Sequence, residues 1–169
     1  MGSMTAILTL LEQDGPQLYS LLFRLTLRRD VADDLMQELF LKLESSRAFA
    51  AAQKPAAYVR RMAINLAMDW RRAGNHLTLP PTIDEPARRQ ELPFEQMVRT
   101  ETWSSVLDAL ATLSEATREA VVRRYMERES YEIIGRGMGK SAHQARAICH
   151  VGIKHLRQRL VERDEVCDA

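Results

Sequence analysis

The chain has 169 residues and a formal net charge of +1, enough for one ordinary domain or two small ones and too balanced overall to single out a nucleic-acid partner. No uninterrupted apolar run approaches the ~20 residues that a membrane helix needs and no signal peptide is visible, so direct membrane insertion is not expected and a cytoplasmic protein is. The two cysteines, Cys149 and Cys167, make no disulfide framework.

Met1-Gly2-Ser3 before Met4 reads as an added leader and takes no part in the fold reasoning. Almost every periodic segment that follows has helical spacing, and no alternating strand run appears. A short amphipathic helix over Thr5–Gln13 ends near Asp14-Gly15-Pro16. Asp14 is placed to cap a second helix, about Gln17–Leu27, with Pro16 tolerated in its first turn and Leu18, Leu21, Leu22 and Leu25 inward. Asp30 is the expected N-cap of a third helix over Val31–Glu44, whose core stripe is Val31, Leu35, Leu39 and Leu43. Asp34, Gln37, Glu38 and Leu41 share a different face, an acidic-polar surface with one apolar residue in it. That pattern suits protein docking, and it equally suits an ordinary solvated face with a stray leucine.

Ser45–Lys54 is a loop of small residues around Phe49, and Pro55 starts the next helix. Val59, Met62, Ala63, Leu66 and Trp70 form its apolar stripe, while Arg61, Asn65, Met68 and Arg72 recur on another side. A helix packed along one side and carrying guanidinium and amide groups along another fits a nucleic-acid surface or a solvated arginine face; this helix alone leaves both open. Gly74-Asn75 ends it.

The pattern then breaks. Pro80, Pro81, Pro86 and Pro93, mixed with charges, make a linker too long to sit inside one compact domain. The second module opens with a helix over Phe94–Leu113, carrying Val98, Trp103, Val106, Leu107 and Leu110 inward. Ser114 caps a helix over Glu115–Glu127 that buries Ala120, Val121 and Tyr125, and Ser130 caps a short helix over Tyr131–Gly137. After the turn Gly139-Lys140-Ser141, a last helix runs from Ala142 to Val161 with Ala145, Cys149, Ile153, Leu156 and Leu160 inward. Ser141 and Gln144 form a capping box. The tail Glu162–Ala169 is expected to be disordered.

A short helix, a glycine-containing turn and a longer helix describe a helix-turn-helix, whose second helix enters the major groove by its N-terminal residues. Spacing puts His143, Arg146, Ala147 and His150 on one outward line with Gln144 beside it, and Arg and Gln can read guanine and adenine edges. Charge agrees: residues 130–163 hold seven basic side chains against two acidic ones, whereas residues 75–99 hold three against four. The His and Cys residues do not converge as a zinc site would, and there is no paired-carboxylate, nucleophile or phosphate-loop motif, so neither an enzyme nor a metal or other cofactor is expected.

Three stretches, DLMQELFLKL, AYVRRMAINLAMDWRR and LDALATLSEATREAVVRRYMERESYEIIGRGMGKS, resemble in order the bacterial sigma-70 family of RNA polymerase sigma factors. The closest likeness is the small extracytoplasmic-function (ECF, group 4) class, which keeps only regions two and four. The resemblance implies an all-α protein of two small helical modules. Region two would span 4–74 and region four 94–163, joined by a proline-rich linker over 75–93. It implies a non-enzymatic subunit that binds core RNA polymerase at the beta-prime clamp and beta flap, recognises promoter DNA, melts the minus-ten element, and answers to an anti-sigma factor. Asp34, Gln37, Glu38 and Leu41 would meet the clamp. The loop Ser45–Lys54 with Asn65 would hold a flipped minus-ten base, and Tyr58, Arg60, Arg61, Arg71 and Arg72 would support strand separation and phosphates. Arg118, Arg123 and Arg124 would contact phosphates at the minus-thirty-five element, which Ser141, His143, Gln144, Arg146, Ala147 and His150 would read. The chain departs from the family at Ile148, where a polar or basic residue is usual late in the reading face, and at Gly137, which is expected to loosen the short helix. A stand-alone helix-turn-helix regulator explains only the C-terminal module. A sigma mimic that titrates an anti-sigma factor is the remaining alternative, kept open by Ile148.

Overall fold

The computed structural model describes residues 2–74 and 93–167, with side chains over 4–74 and 101–162. Its elements are α1 (Gly2–Thr26), α2 (Arg29–Ser45), α3 (Arg47–Ala50), α4 (Pro55–Arg72), α5 (Pro93–Ala111), α6 (Glu115–Tyr125), α7 (Tyr131–Met138) and α8 (Ala142–Cys167). No strand occurs among the described residues. The chain divides into two compact units, Met1–Leu79 and Pro80–Ala169. Apart from Pro93, the linker expected over 75–93 lies outside the described residues.

In the first unit α1 packs against α2 and α4, and α2 against α4. The two N-terminal helices expected from sequence are one, with Pro16 inside α1. The reason is register: Ile7, Leu10, Asp14, Leu18, Leu21, Leu22 and Leu25 keep three- and four-residue steps straight through Asp14-Gly15-Pro16. Pro16 sits on the exposed side, where solvent is at hand for the carbonyl that its missing N–H leaves over. Ile7, Leu21, Leu22 and Leu25 are fully buried, and each such side chain contributes roughly 1.5–3 kcal/mol.

Between α1 and α2 the backbone turns at Leu27, which takes φ 61°. Asp30 is not the cap of α2. Arg28 occupies that position without a side-chain cap bond, and Asp30 lies in the first turn, ion-paired to Arg28. That hydrogen bond holds the Asp30 carboxyl below the usual carboxylate range. The buried line of α2 is Ala32, Leu35, Leu39 and Leu43, with Val31 only half-buried.

The Ser45–Lys54 segment contains a helical turn, α3, capped by Ser46 and anchored by the buried ring of Phe49. Pro55 does start α4. That helix buries more than one stripe: Val59, Ala63, Ile64, Leu66, Ala67 and Met68 are all inside, and Met62 and Trp70 are half-buried. Met68, expected on the polar side, is fully buried because α4 is covered by both α1 and α2 and needs a wider apolar face.

In the second unit α8 packs against α5, α6 and α7. Leu107, Leu110 and Leu113 are buried, Trp103 is at the surface, and Val98 lies outside the described side chains. Ser114 and Ser130 cap α6 and α7 as expected, accepting from Thr117 N and Ile133 N. Tyr125, expected inside, is 56% exposed; the inward positions of α6 are Arg118, Glu119, Ala120, Val121, Val122 and Arg123. The last helix continues to Cys167, so the tail expected to be disordered is helical for most of its length. Glu and Arg, frequent in residues 162–167, are good helix formers.

Candidate nucleic-acid interface

Three exposed surfaces gather the residues singled out from sequence. The first lies on α2. With Leu35, Leu39 and Leu43 committed to the core, helical geometry turns Asp34, Gln37, Glu38 and Leu41 outward, and all four are exposed, Leu41 at 61%. Lys42 pairs with Glu38 at 3.2 Å, an exposed bridge worth only about 0.3–0.5 kcal/mol. An apolar side chain held in water beside carboxylates and an amide gains most when a partner covers it.

The second surface joins α3 to α4. The Ser46 hydroxyl accepts from Phe49 N at 3.0 Å and lies 3.0 Å from the Tyr58 hydroxyl. The Phe49 and Tyr58 rings are 6.1 Å apart and tilted, and the Arg61 guanidinium stands 5.6 Å over the Tyr58 ring. Tyr58, Arg60, Arg61 and Asn65 are half-buried, and Arg72 is exposed and ion-paired to Asp69. Arg71 is a correction: it is 2% exposed, and its Nη1 donates to the Leu25 carbonyl at 3.4 Å. That carbonyl belongs to the last turn of α1, whose acceptors lack helical partners and attract a cation. Arg71 therefore ties α4 to α1 and is not placed to hold a phosphate.

The third surface is the helix-turn-helix of α7 and α8. Gly139, at φ +67°, ends α7; Lys140 N bonds Gly135 O at 2.8 Å and Gly139 N bonds Arg136 O at 3.4 Å, the paired bonds of a Schellman turn. The turn crosses so close that a Cβ on Gly135 would lie 2.8 Å from the Lys140 carbonyl oxygen and 2.9 Å from Ser141 backbone atoms. The capping box forms: Ser141 N donates to Gln144 Oε1 at 2.9 Å and Gln144 N to Ser141 Oγ at 3.1 Å. Ser141, His143, Gln144, Arg146, Ala147 and His150 are all exposed. Ile148 is not part of that face; it is half-buried against the cluster of Ala120, Ile134, Ala145 and Cys149. Burial pushes the Cys149 thiol up, and Cys149 faces the core while His143 and His150 face out.

Two further corrections concern α6. Arg118 and Arg123 are 3% and 2% exposed and cannot offer their guanidinium groups to a phosphate. Arg123 pairs with Glu119 at 3.2 Å and with Glu129 at 2.7 Å, and its Nη2 also approaches the Ile133 carbonyl at 3.5 Å. Arg124 remains half-exposed, donating to the Glu129 carbonyl at 3.0 Å and lying 4.6 Å over the Tyr131 ring. Gly137 has a packing reason, since a Cβ there would meet the Arg123 guanidinium at 2.4–2.9 Å. Sequence reasoning missed Glu119, Glu129 and Ser46. The four-residue step from Glu119 to Arg123 and the step from Ser46 to Phe49 were the available signals.

Among the described residues no helix is long and apolar enough to cross a membrane, and no group of three His, Cys, Asp or Glu residues could hold a metal ion. Residues 10–76 match the family described as Sigma-70 region 2, and residues 109–158 match that described as Sigma-70, region 4. The chain is 31% identical over 134 residues to RNA polymerase sigma-E factor of Streptomyces antibioticus, spanning 79% of this chain and 72% of that protein. It is 29% identical over 165 residues to RNA polymerase sigma factor CarQ of Myxococcus xanthus, spanning 95% and 92%. It is 23% identical over 159 residues to ECF RNA polymerase sigma factor SigX of Bacillus subtilis, spanning 89% and 82%.

Proposed function

The chain belongs to the sigma-70 family of RNA polymerase sigma factors, and from that premise we propose how its surfaces divide the work of an ECF-type promoter-recognition subunit. Residues 4–74 bind core polymerase and open the minus-ten element, residues 94–163 hold the minus-thirty-five element, and 75–93 tether the two. The protein catalyses no reaction of its own and works in the cytoplasm, where polymerase is.

The observation that carries this reading is the α2 face, where Leu41 stands exposed among Asp34, Gln37 and Glu38 while the helix's own core stripe is fully used. A lone DNA-binding regulator has no use for that face. It is the docking surface for the polymerase clamp. The basic residues 130–163 can neutralise phosphates, and docking of the α2 face on polymerase adds to that local contact by presenting both modules to one promoter.

Once docked, α3 and α4 face the minus-ten strand. Extruding a base costs a few kcal/mol, and a preformed α3–α4 corner with Asn65 beside it offsets that cost better than a loop that must first be ordered. Tyr58, Arg60, Arg61 and Arg72 flank it. Upstream, α8 enters the major groove with Ser141, His143, Gln144, Arg146, Ala147 and His150 forward, the flap of polymerase supports region four, and Arg124 lies beside the reader. Arg71 serves packing within the first module and Arg123 within the second, and Arg118 is buried in the second. The mimic reading rested on Ile148, and with that residue turned toward the core the exposed face keeps its polar readers. An anti-sigma factor would act by occupying the Leu41 face or by holding the two modules apart from polymerase.

The test is binding of the labelled full chain to core polymerase. Leu41→Ala is expected to weaken binding about tenfold, as for a central contact worth more than ~1 kcal/mol, and Gln37→Ala by less, both without changing thermal stability. Unchanged affinity in both variants would overturn the docking face.

A further inference from the structure

Tyr58 is a residue that the reading above sets beside the minus-ten strand, where a tyrosine would be taken as a stacking or phosphate contact. Its surroundings say otherwise. The Tyr58 hydroxyl lies 3.0 Å from Ser46 Oγ, and Ser46 Oγ is also the acceptor for Phe49 N at 3.0 Å. A serine hydroxyl has one donor and two lone pairs, so it satisfies both partners at once. The Tyr58 ring in turn backs Phe49, which is 3% exposed, and the Arg61 guanidinium stands 5.6 Å from it. Tyr58 is half-buried. The hydroxyl is therefore engaged with the α3 cap, and the ring has contacts in both α3 and α4.

The link spans twelve residues of sequence and closes the segment between α2 and α4 into a corner of fixed shape. Most of that segment is small and exposed: Ala48 and Ala50 to either side of Phe49, then Ala51, Gln53 and Lys54. Such residues bring little packing of their own, so the corner's shape depends on the Ser46–Phe49–Tyr58 set. We infer that Tyr58 and Ser46 are positioning residues for minus-ten specificity: together they fix the α3 corner that discriminates the extruded base, and Tyr58 does so through Ser46 and not by touching DNA. This rests on the sigma reading of the α3–α4 surface.

The chemistry separates the two roles. Tyr58→Phe keeps the ring, so stacking survives and only the link to Ser46 is lost. Ser46→Ala loses the same link from the other side together with the acceptor for Phe49 N, and Ser46→Thr retains a hydroxyl for both. Each variant of the full chain is assayed with core polymerase in run-off transcription from promoters randomised across the minus-ten element. The readout is the ratio between the best and worst base at each position. Loss of one partly buried hydrogen bond corresponds to about a fivefold effect. Tyr58→Phe is expected to compress the ratio at one position about fivefold and Ser46→Ala at the same position by at least as much, because it also removes the acceptor for Phe49 N; the double variant is expected to go no further than Ser46→Ala alone, and Ser46→Thr to restore the ratio. Core polymerase affinity stays unchanged.

Three outcomes would overturn the inference. A uniform loss across all sequences with the ratio intact would mean that the Tyr58 hydroxyl meets the DNA backbone. Multiplicative losses in the double variant would mean that the two residues act independently. Unchanged ratios in both single variants would mean that the link does not set the corner. Wild-type protein that supports no promoter-dependent transcript would instead defeat the sigma reading itself, a result distinct from all three.

Discussion

Replacing Arg123 with alanine separates a structural guanidinium from a DNA-binding one. Arg123 and Glu119 are 2% and 4% exposed at the side chain, and Glu129, the second carboxylate on the same guanidinium, is 12% exposed. Removing the arginine leaves the Glu119 carboxylate buried without the Arg123 guanidinium. Breaking a buried pair from one side costs about 3–5 kcal/mol, and the better helix propensity of alanine returns only a few tenths. Against the roughly 5–10 kcal/mol that holds a unit of this size, that is about half of the total. With a urea slope of about 1–3 kcal/mol per molar, the midpoint of the transition is expected to fall by roughly 2 M. Far-UV circular dichroism follows the unfolding of the full chain, and hydrogen exchange at α6, α7 and α8 amides assigns the loss to the second unit. The triple variant Arg123→Met, Glu119→Met, Glu129→Gln should recover much of it, because apolar groups replace the buried pair at little cost and no carboxylate is left facing the lost guanidinium. A loss under about 1 kcal/mol in Arg123→Ala, with promoter affinity reduced instead, would refute the reasoning.

Further outcomes follow from the same geometry. Gly135→Ala puts a methyl group against the backbone of the helix-turn-helix turn at 2.8–2.9 Å; overpacking of this kind costs about 1–3 kcal/mol, and a melting temperature unchanged within error would show that the turn can yield. Arg146→Ala is expected to relax selection at one base pair of the upstream element, costing about 1–3 kcal/mol on the best sequence; an equal loss on every sequence in a binding selection would reassign Arg146 to a phosphate. In a Cys167→Ser background, Cys149 should react with a disulfide reagent only on unfolding, because its thiol is buried and its pKa raised. A thiol whose folded pKa is raised favours the folded state fully below the unfolded pKa and loses that advantage as pH rises through the folded value. Stability should therefore decline at alkaline pH in this background, and less so in Cys149→Ala.

The all-helical character, the capping box at Ser141 and Gln144, and the outward line of α8 were legible because each rests on local spacing. The α2 face was legible for the same reason: once Leu35, Leu39 and Leu43 are inward, Leu41 has nowhere to go but out. What spacing does not report is how many neighbours a helix has. α4 lies under two helices, so it buries Met68 and Arg71 as well as its main stripe, and Arg71 is inside because the end of α1 supplies a carbonyl for it. Arg118 and Arg123 were misplaced because arginine is surface-seeking by default. The Glu119–Arg123 step is local, but only the fold brings Glu129 to the same guanidinium and sets that guanidinium against Gly137. Pro16 failed as a helix boundary because the apolar register on either side of it is continuous, and that register outweighs one missing N–H. Ser46 was hidden because its role depends on a tyrosine twelve residues away.

Run-off transcription shows whether this chain directs core RNA polymerase to promoters. Purified protein is mixed with bacterial core polymerase and a promoter library, with core polymerase alone and protein alone as controls. Promoter-dependent transcripts are expected only when both are present, with the productive promoters sharing a minus-ten and an upstream element. Absence of such transcripts, together with tight sequence-specific DNA binding by the protein alone, would contradict that expectation and assign the chain to stand-alone regulation.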